Sequence, residues 1–64
     1  MPVLFRVRRV GRQARWVVLV GDRVYGKYLD KQGAVLDAIE AAKETRETGN
    51  EVEVWDQSRS LRLY

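Results

Sequence analysis

The run Val3-Leu4-Phe5-Arg6-Val7-Arg8-Arg9-Val10 sets Val3, Phe5 and Val7 against Leu4, Arg6 and Arg8. That is the period of two shown by a strand with one buried face. Such a strand needs apolar cover on one side only, so the chain is read as a sheet with a single covered face. Outward from this run, Gly11-Arg12-Gln13 supplies a turn. Arg15 to Val20 then brings the β-branched and aromatic residues that suit a pleated surface, which makes a hairpin. Gly21-Asp22 marks a second turn, and Val24 to Leu29 form a short third strand.

Asp30 is placed to cap a helix by accepting backbone N–H bonds. Val35, Ala38, Ile39 and Ala42 recur at helical spacing and Gly49 stands where a helix stops, so the helix covers roughly Lys31 to Thr48. Glu51 to Asp56 alternates again, Val52 and Val54 against Glu51, Glu53 and Trp55. After the polar turn Asp56-Gln57-Ser58-Arg59, Ser60 to Tyr64 closes a last hairpin. The expected fold is a single α+β domain over residues 1–64: an antiparallel sheet of 4–5 strands with one helix on one face, in the order ββ(β)αββ. A chain of 64 residues has room for one core only.

Trp16-x-Val18-x-x-Gly21 on the hairpin, Ala34-Val35, Ala38 and Ala42-Lys43 on the helix, and Val52-x-Val54 before a polar turn resemble a family of short bacterial and phage domains of unknown function. The resemblance runs over about residues 14–62. It implies the same fold and a bacterial or phage origin, and it names no activity and no site. Such proteins usually carry an Asp-Gly type turn in the last hairpin, whereas Asp56-Gln57-Ser58-Arg59 has no glycine.

Hydrophobic residues make up 45% and charged residues 33% of the chain, a globular rather than a disordered mixture. Cysteine and histidine are absent, which removes disulfides, thiolate metal sites and the usual nucleophile and base pairs. The longest apolar run, Trp16 to Val20, falls far short of the roughly 20 residues that span a bilayer. Arg6 and Arg8 follow the amino terminus closely, so neither a membrane segment nor a signal peptide is expected, and the cytoplasm is the expected compartment.

Several motifs have a chemical and a plain reading. Gly21-Asp22-Arg23-Val24-Tyr25-Gly26-Lys27 fits the spacing of a phosphate-binding loop, but Tyr28 stands where Mg²⁺ needs Ser or Thr, so a glycine-bounded hairpin is the better reading. Ser58 and Ser60 have no base in reach. Glu51 and Glu53 share a strand face, where pairing with arginines on neighbouring strands is a plainer role than acid–base work. Asp37, Glu40, Glu44 and Glu47 mark the solvated helix face. The chain is therefore expected to be no enzyme, with no catalytic residue, metal, cofactor or small-molecule ligand.

The net charge of +3 conceals an asymmetry. Residues 1–31 hold eight basic and two acidic side chains, residues 32–64 four basic and seven acidic. If Trp16 and Val18 join Phe5 and Val7 under the helix, the other sheet face carries Val17, Leu19, Trp55 and Tyr64 among Arg6, Arg8, Glu51, Glu53 and Arg62. A one-residue slip in the second strand would exchange Trp16 and Val17. Two glutamates repel phosphates, while a two-fold dimer pairs arginine with glutamate around an apolar centre, so a homodimer closed through this face is the first expectation. Nucleic acid bound by Arg9, Arg12 and Arg15 of the first hairpin is the alternative.

Overall fold

The alternation of the first strand is realised at the centre of a five-stranded sheet. In the computed structural model, which describes residues 1–12 and 15–64, β1 (Val3–Val10) is flanked by β2 (Arg15–Val20) and β4 (Val52–Asp56). Strand β3 (Arg23–Tyr28) and the two-residue β5 (Leu61–Arg62) form the edges, giving the order β3-β2-β1-β4-β5. The helix α1 (Lys31–Glu47), the one helix among the described residues, lies between β3 and β4 in sequence. Gln13, the last residue of the expected first turn, lies outside the described residues.

The sheet is mixed, which corrects the antiparallel expectation. β1–β2, β2–β3 and β4–β5 are antiparallel, whereas β1 and β4 run parallel, with Val3 opposite Val52 and Phe5 opposite Val54. The cause is the third strand. With β3 formed the chain runs up, down, up and then back down through the helix, so β4 must point the same way as β1. Only a two-stranded start would have delivered it antiparallel. A parallel partner requires a crossover, and α1 supplies it by lying across β1, β2, β3 and β4.

Pairing of Val7 with Val18 and of Phe5 with Val20 settles the face of β2: Trp16, Val18 and Val20 look toward the helix. The core joins Phe5, Val7, Val18, Val52 and Val54 to Ala34, Ala38, Ala41 and Ala42, with Val35 and Ile39 at its margin. The helix is thus turned so that alanines rather than the larger residues meet the sheet. Asp30 caps it by accepting from Gly33 N at 2.7 Å. Gly49 ends it at φ +93°, its N–H donating to the Arg46 carbonyl at 3.0 Å.

Gly26 has a packing role. It faces the helix side opposite Val18, and a methyl group there would overlap the ring of Tyr28 two residues on. Burial, with Asp37 alongside, pushes the Tyr28 phenol up to about 12. A register shift pairs Val18 with Gly26 but Leu19 with Val24, leaving Tyr25 as the extra residue of a bulge. Its ring meets Phe5 edge-on at 5.9 Å.

Two substitutions test this packing. Ala38→Leu, which forces bulk between helix and sheet, and Gly26→Ala, which drives a methyl into the Tyr28 ring, are each expected to cost about 1–3 kcal/mol in urea unfolding. Leu36→Ala, on an exposed turn of the helix, is expected to change stability by less than about 0.5 kcal/mol.

Candidate functional site

The face that the helix leaves uncovered is organised in cross-strand rows, because residues directly opposite in a ladder share a side. One row crosses the whole sheet: Val24, Leu19, Arg6, Trp55 and Arg62. Beside it lie Lys27, Val17 and Arg8, then Arg15 opposite Val10; on the other side Leu4 stands opposite Glu53. The basic residues of this face are Arg6, Arg8, Arg15, Lys27 and Arg62. Glu53 is the one acid in these rows among the described residues.

Glu53 is also engaged. Its Oε1 accepts from the Trp55 indole Nε1 at 2.7 Å and its Oε2 lies 4.0 Å from the Arg62 guanidinium. Arg6 donates through Nη2 to the Gly21 carbonyl at 2.6 Å, which holds its guanidinium on the face while leaving other donors free. On the opposite side of the molecule the exposed helix surface carries Asp37, Glu40, Glu44 and Glu47 against Lys43 and Arg46. The charge asymmetry of the sequence therefore becomes an asymmetry between two faces.

The structure redistributes the residues expected on the open face. Arg6, Arg8, Leu19, Glu53, Trp55 and Arg62 lie in its rows. Val17 points the same way but is only 9% exposed, flanked by Arg8 and Lys27, long side chains of the kind that cover apolar neighbours. Tyr64 turns to the helix side, where it packs on the core and its hydroxyl meets the Arg46 guanidinium at 3.5 Å. Glu51 precedes β4 and is exposed, its carbonyl accepting from Val3 N at 2.8 Å at the start of the β1–β4 pairing. The arginines of the first hairpin separate as well: Arg15 joins the open face, Arg9 lies opposite Trp16 on the helix side, and Arg12 stands at the turn. Leu4 lies there with Arg6 and Arg8, as the alternation of β1 sets it, and Val10, Val24 and Lys27 complete the face without having been expected there. Lys27 becomes legible only once the bulge at Tyr25 is known, because that extra residue sets which side it takes.

Leu4, Arg6, Trp55, Gln57 and Ser60 enclose a shallow hollow of about 300 Å³ on this face, at the small end of the sizes that hold a ligand. Leu4, 40% exposed, forms its apolar wall. Its far rim is the turn after β4, which closes without glycine because Asp56 organises it. The Asp56 carboxylate accepts from Ser58 N at 3.1 Å and Ser58 Oγ at 2.6 Å, and Ser60 takes the left-handed conformation at φ +50°. Gln57 N donates to the Val7 carbonyl at 2.9 Å, tying the turn to β1.

Asp56 itself is 1% exposed and sits on the helix side, 2.5 Å from the ammonium of Lys31, the first residue of α1. Lys31 also lies 5.5 Å from the centre of the Trp16 ring, so one cation links β2, α1 and β4. Burial alone would raise the Asp56 pKa. Lys31 and the two Ser58 donors outweigh it, and the group is held below its ordinary 3.8.

A lowered folded-state pKa contributes stability above the unfolded value and loses it as pH falls below that value. Asp56→Asn is expected to cost about 1.5–3 kcal/mol at neutral pH, the range for hydrogen bonds to a charged group. The deficit should shrink as pH falls from about 3.8 through the folded-state pKa. Thermal unfolding of both proteins across that window checks this; a constant difference would show that the carboxylate is not the stabilising form.

Among the described residues, no helix is long and apolar enough to cross a membrane, and no cluster of acidic residues is arranged to hold a metal. No protein-family model, curated protein or solved structure matches the chain.

Proposed function

We propose that the chain is a binding module that takes nucleic acid on the uncovered face of its sheet. The observation that carries this is the segregation of charge: Arg6, Arg8, Arg15, Lys27 and Arg62 share the rows of one face with Glu53, while the exposed helix carries the acids. A polyanion gains from each cation of such a face through the counterions it sheds, Arg62 contributing least because it is shared with Glu53. The glutamate objection to phosphate is weakened for Glu53, which Trp55 and Arg62 engage, while Glu51 is exposed just before β4 in the groove that Arg46 and Arg62 also line.

A homodimer closed through the same face is the weaker reading. A two-fold axis would set these cations against their own copies, with Glu53 as the one acid in the rows among the described residues and Glu51 at their margin to offset them. Val17 and Tyr64, two of the four apolar residues meant for its centre, offer it little surface.

Binding of labelled DNA or RNA is expected to follow the salt law. Four to five phosphate contacts give a logarithmic slope of about −3 to −4, so affinity should fall roughly fiftyfold or more between about 50 and 200 mM salt. Arg8→Glu should lower the affinity about tenfold and flatten the slope, whereas Lys43→Glu on the helix face should leave both unchanged. Absence of binding at low salt, or equal effects of the two variants, would remove the proposal.

A further inference from the structure

We infer that the hollow beside Trp55 accepts one unstacked nucleobase, so that the open face binds single-stranded nucleic acid in preference to duplex. This rests on the reading of that face as a nucleic-acid surface and adds what selects the strand.

Trp55 lies in the middle of the row Arg6, Trp55, Arg62. Its one polar atom is occupied, since Nε1 donates to Glu53 Oε1 at 2.7 Å. That bond fixes the indole, leaving the ring system as an apolar platform with no unmet polar demand. A strand running across the sheet meets a cation on either side of this platform, Arg6 from β1 and Arg62 from β5. Alternation of cations with an aromatic surface is the arrangement by which single strands are held without sequence reading.

The hollow supplies the volume that stacking requires. Leu4 closes one side, and Gln57 and Ser60 bring an amide and a hydroxyl, neutral groups that can both donate and accept toward the edge of any base. The backbone bond from Gln57 N to the Val7 carbonyl and the Asp56–Ser58 bonds hold that rim in place, so the slot exists before binding. In a duplex both faces of every internal base are already stacked. A platform held at the level of a sheet meets only the phosphates of such a duplex, and the stacking contribution is lost.

The larger groove between the end of α1 and β4, about 620 Å³, is a poorer candidate because Glu51, Glu53, Arg46 and Arg62 all line it, and the mixed signs select no ligand class.

Fluorescence anisotropy with short labelled oligothymidylate, oligouridylate and a duplex of equal length tests the inference. Both single strands are expected to bind about tenfold or more tighter than the duplex, and similarly to each other, because stacking tolerates any base. Trp55→Ala should weaken single-strand binding roughly tenfold to hundredfold while leaving the weaker duplex binding within about twofold, and Trp55→Phe should retain most of it. Duplex binding as tight as single-strand binding, or wild-type affinity in a folded Trp55→Ala protein, overturns the base slot while the salt-dependent surface stands. Failure to bind any of the three probes overturns both readings.

Discussion

The parallel pairing of β4 with β1 is the constraint on which the rest of the molecule depends. It seats Val52 and Val54 beside Phe5 and Val7 beneath the helix, and on the reverse side it brings Trp55 next to Arg6. One residue further on, it delivers Asp56 to the start of α1, where Lys31 is waiting. Had β4 joined the outer edge of β3 instead, Val52 and Val54 would lie beside the bulged, glycine-containing strand, and neither the Asp56 anchor nor the Arg6–Trp55 row would exist. Parallel pairing makes few local contacts and must await the crossover helix, so the hairpin of β1 and β2 and the helix are the parts that local sequence can build first.

The core beneath that crossover is thin. Its fully buried hydrophobic side chains are valines and alanines, and four alanines on α1 bring the helix backbone close to the sheet. Such an interface gains less from apolar burial than one filled by leucine or phenylalanine, since the stabilisation scales with area removed from water. This gives weight to the polar contacts at its edge. The Asp30 cap and the Lys31–Asp56 pair fix the amino end of the helix, and the cation of Lys31 at that position, unfavourable to the helix dipole by itself, is compensated by the carboxylate opposite.

Local signals made much of this architecture legible. The alternation of Phe5 and Val7, the β-branched run after Trp16, the cap at Asp30 and the stop at Gly49 each reflect a preference that needs no distant partner. What the sequence hid is what depends on pairing. The sense of β4 follows from whether β3 forms, and β3 contains Gly26 and an odd residue, Tyr25, which blur its period of two. The bulge that turns Tyr25 toward Phe5 also sets Lys27 on the open face, and with it an extra cation of the candidate site. Val17 reads as exposed because it alternates with Trp16 and Val18, which go under the helix, yet the long side chains of Arg8 and Lys27 flank it across the ladder. The final turn hid its closure because glycine is the usual signal, whereas here Asp56 and a left-handed Ser60 do that work.

The charge segregation follows from the same topology. A strand at the centre of a sheet with one covered face must place its polar alternates in the middle of the other, and in β1 those alternates are Arg6 and Arg8. Residues 1–31 carry most of the basic side chains and supply β1, β2 and β3, so the sheet inherits the positive charge; the helix, drawn from the second half, carries the acids on the side away from it. The two layers of the fold thus separate charges that the chain had already divided by position. A molecule of modest net charge thereby carries its charges divided between two faces, the kind of separation whose field acts on a charged molecule before any contact is made.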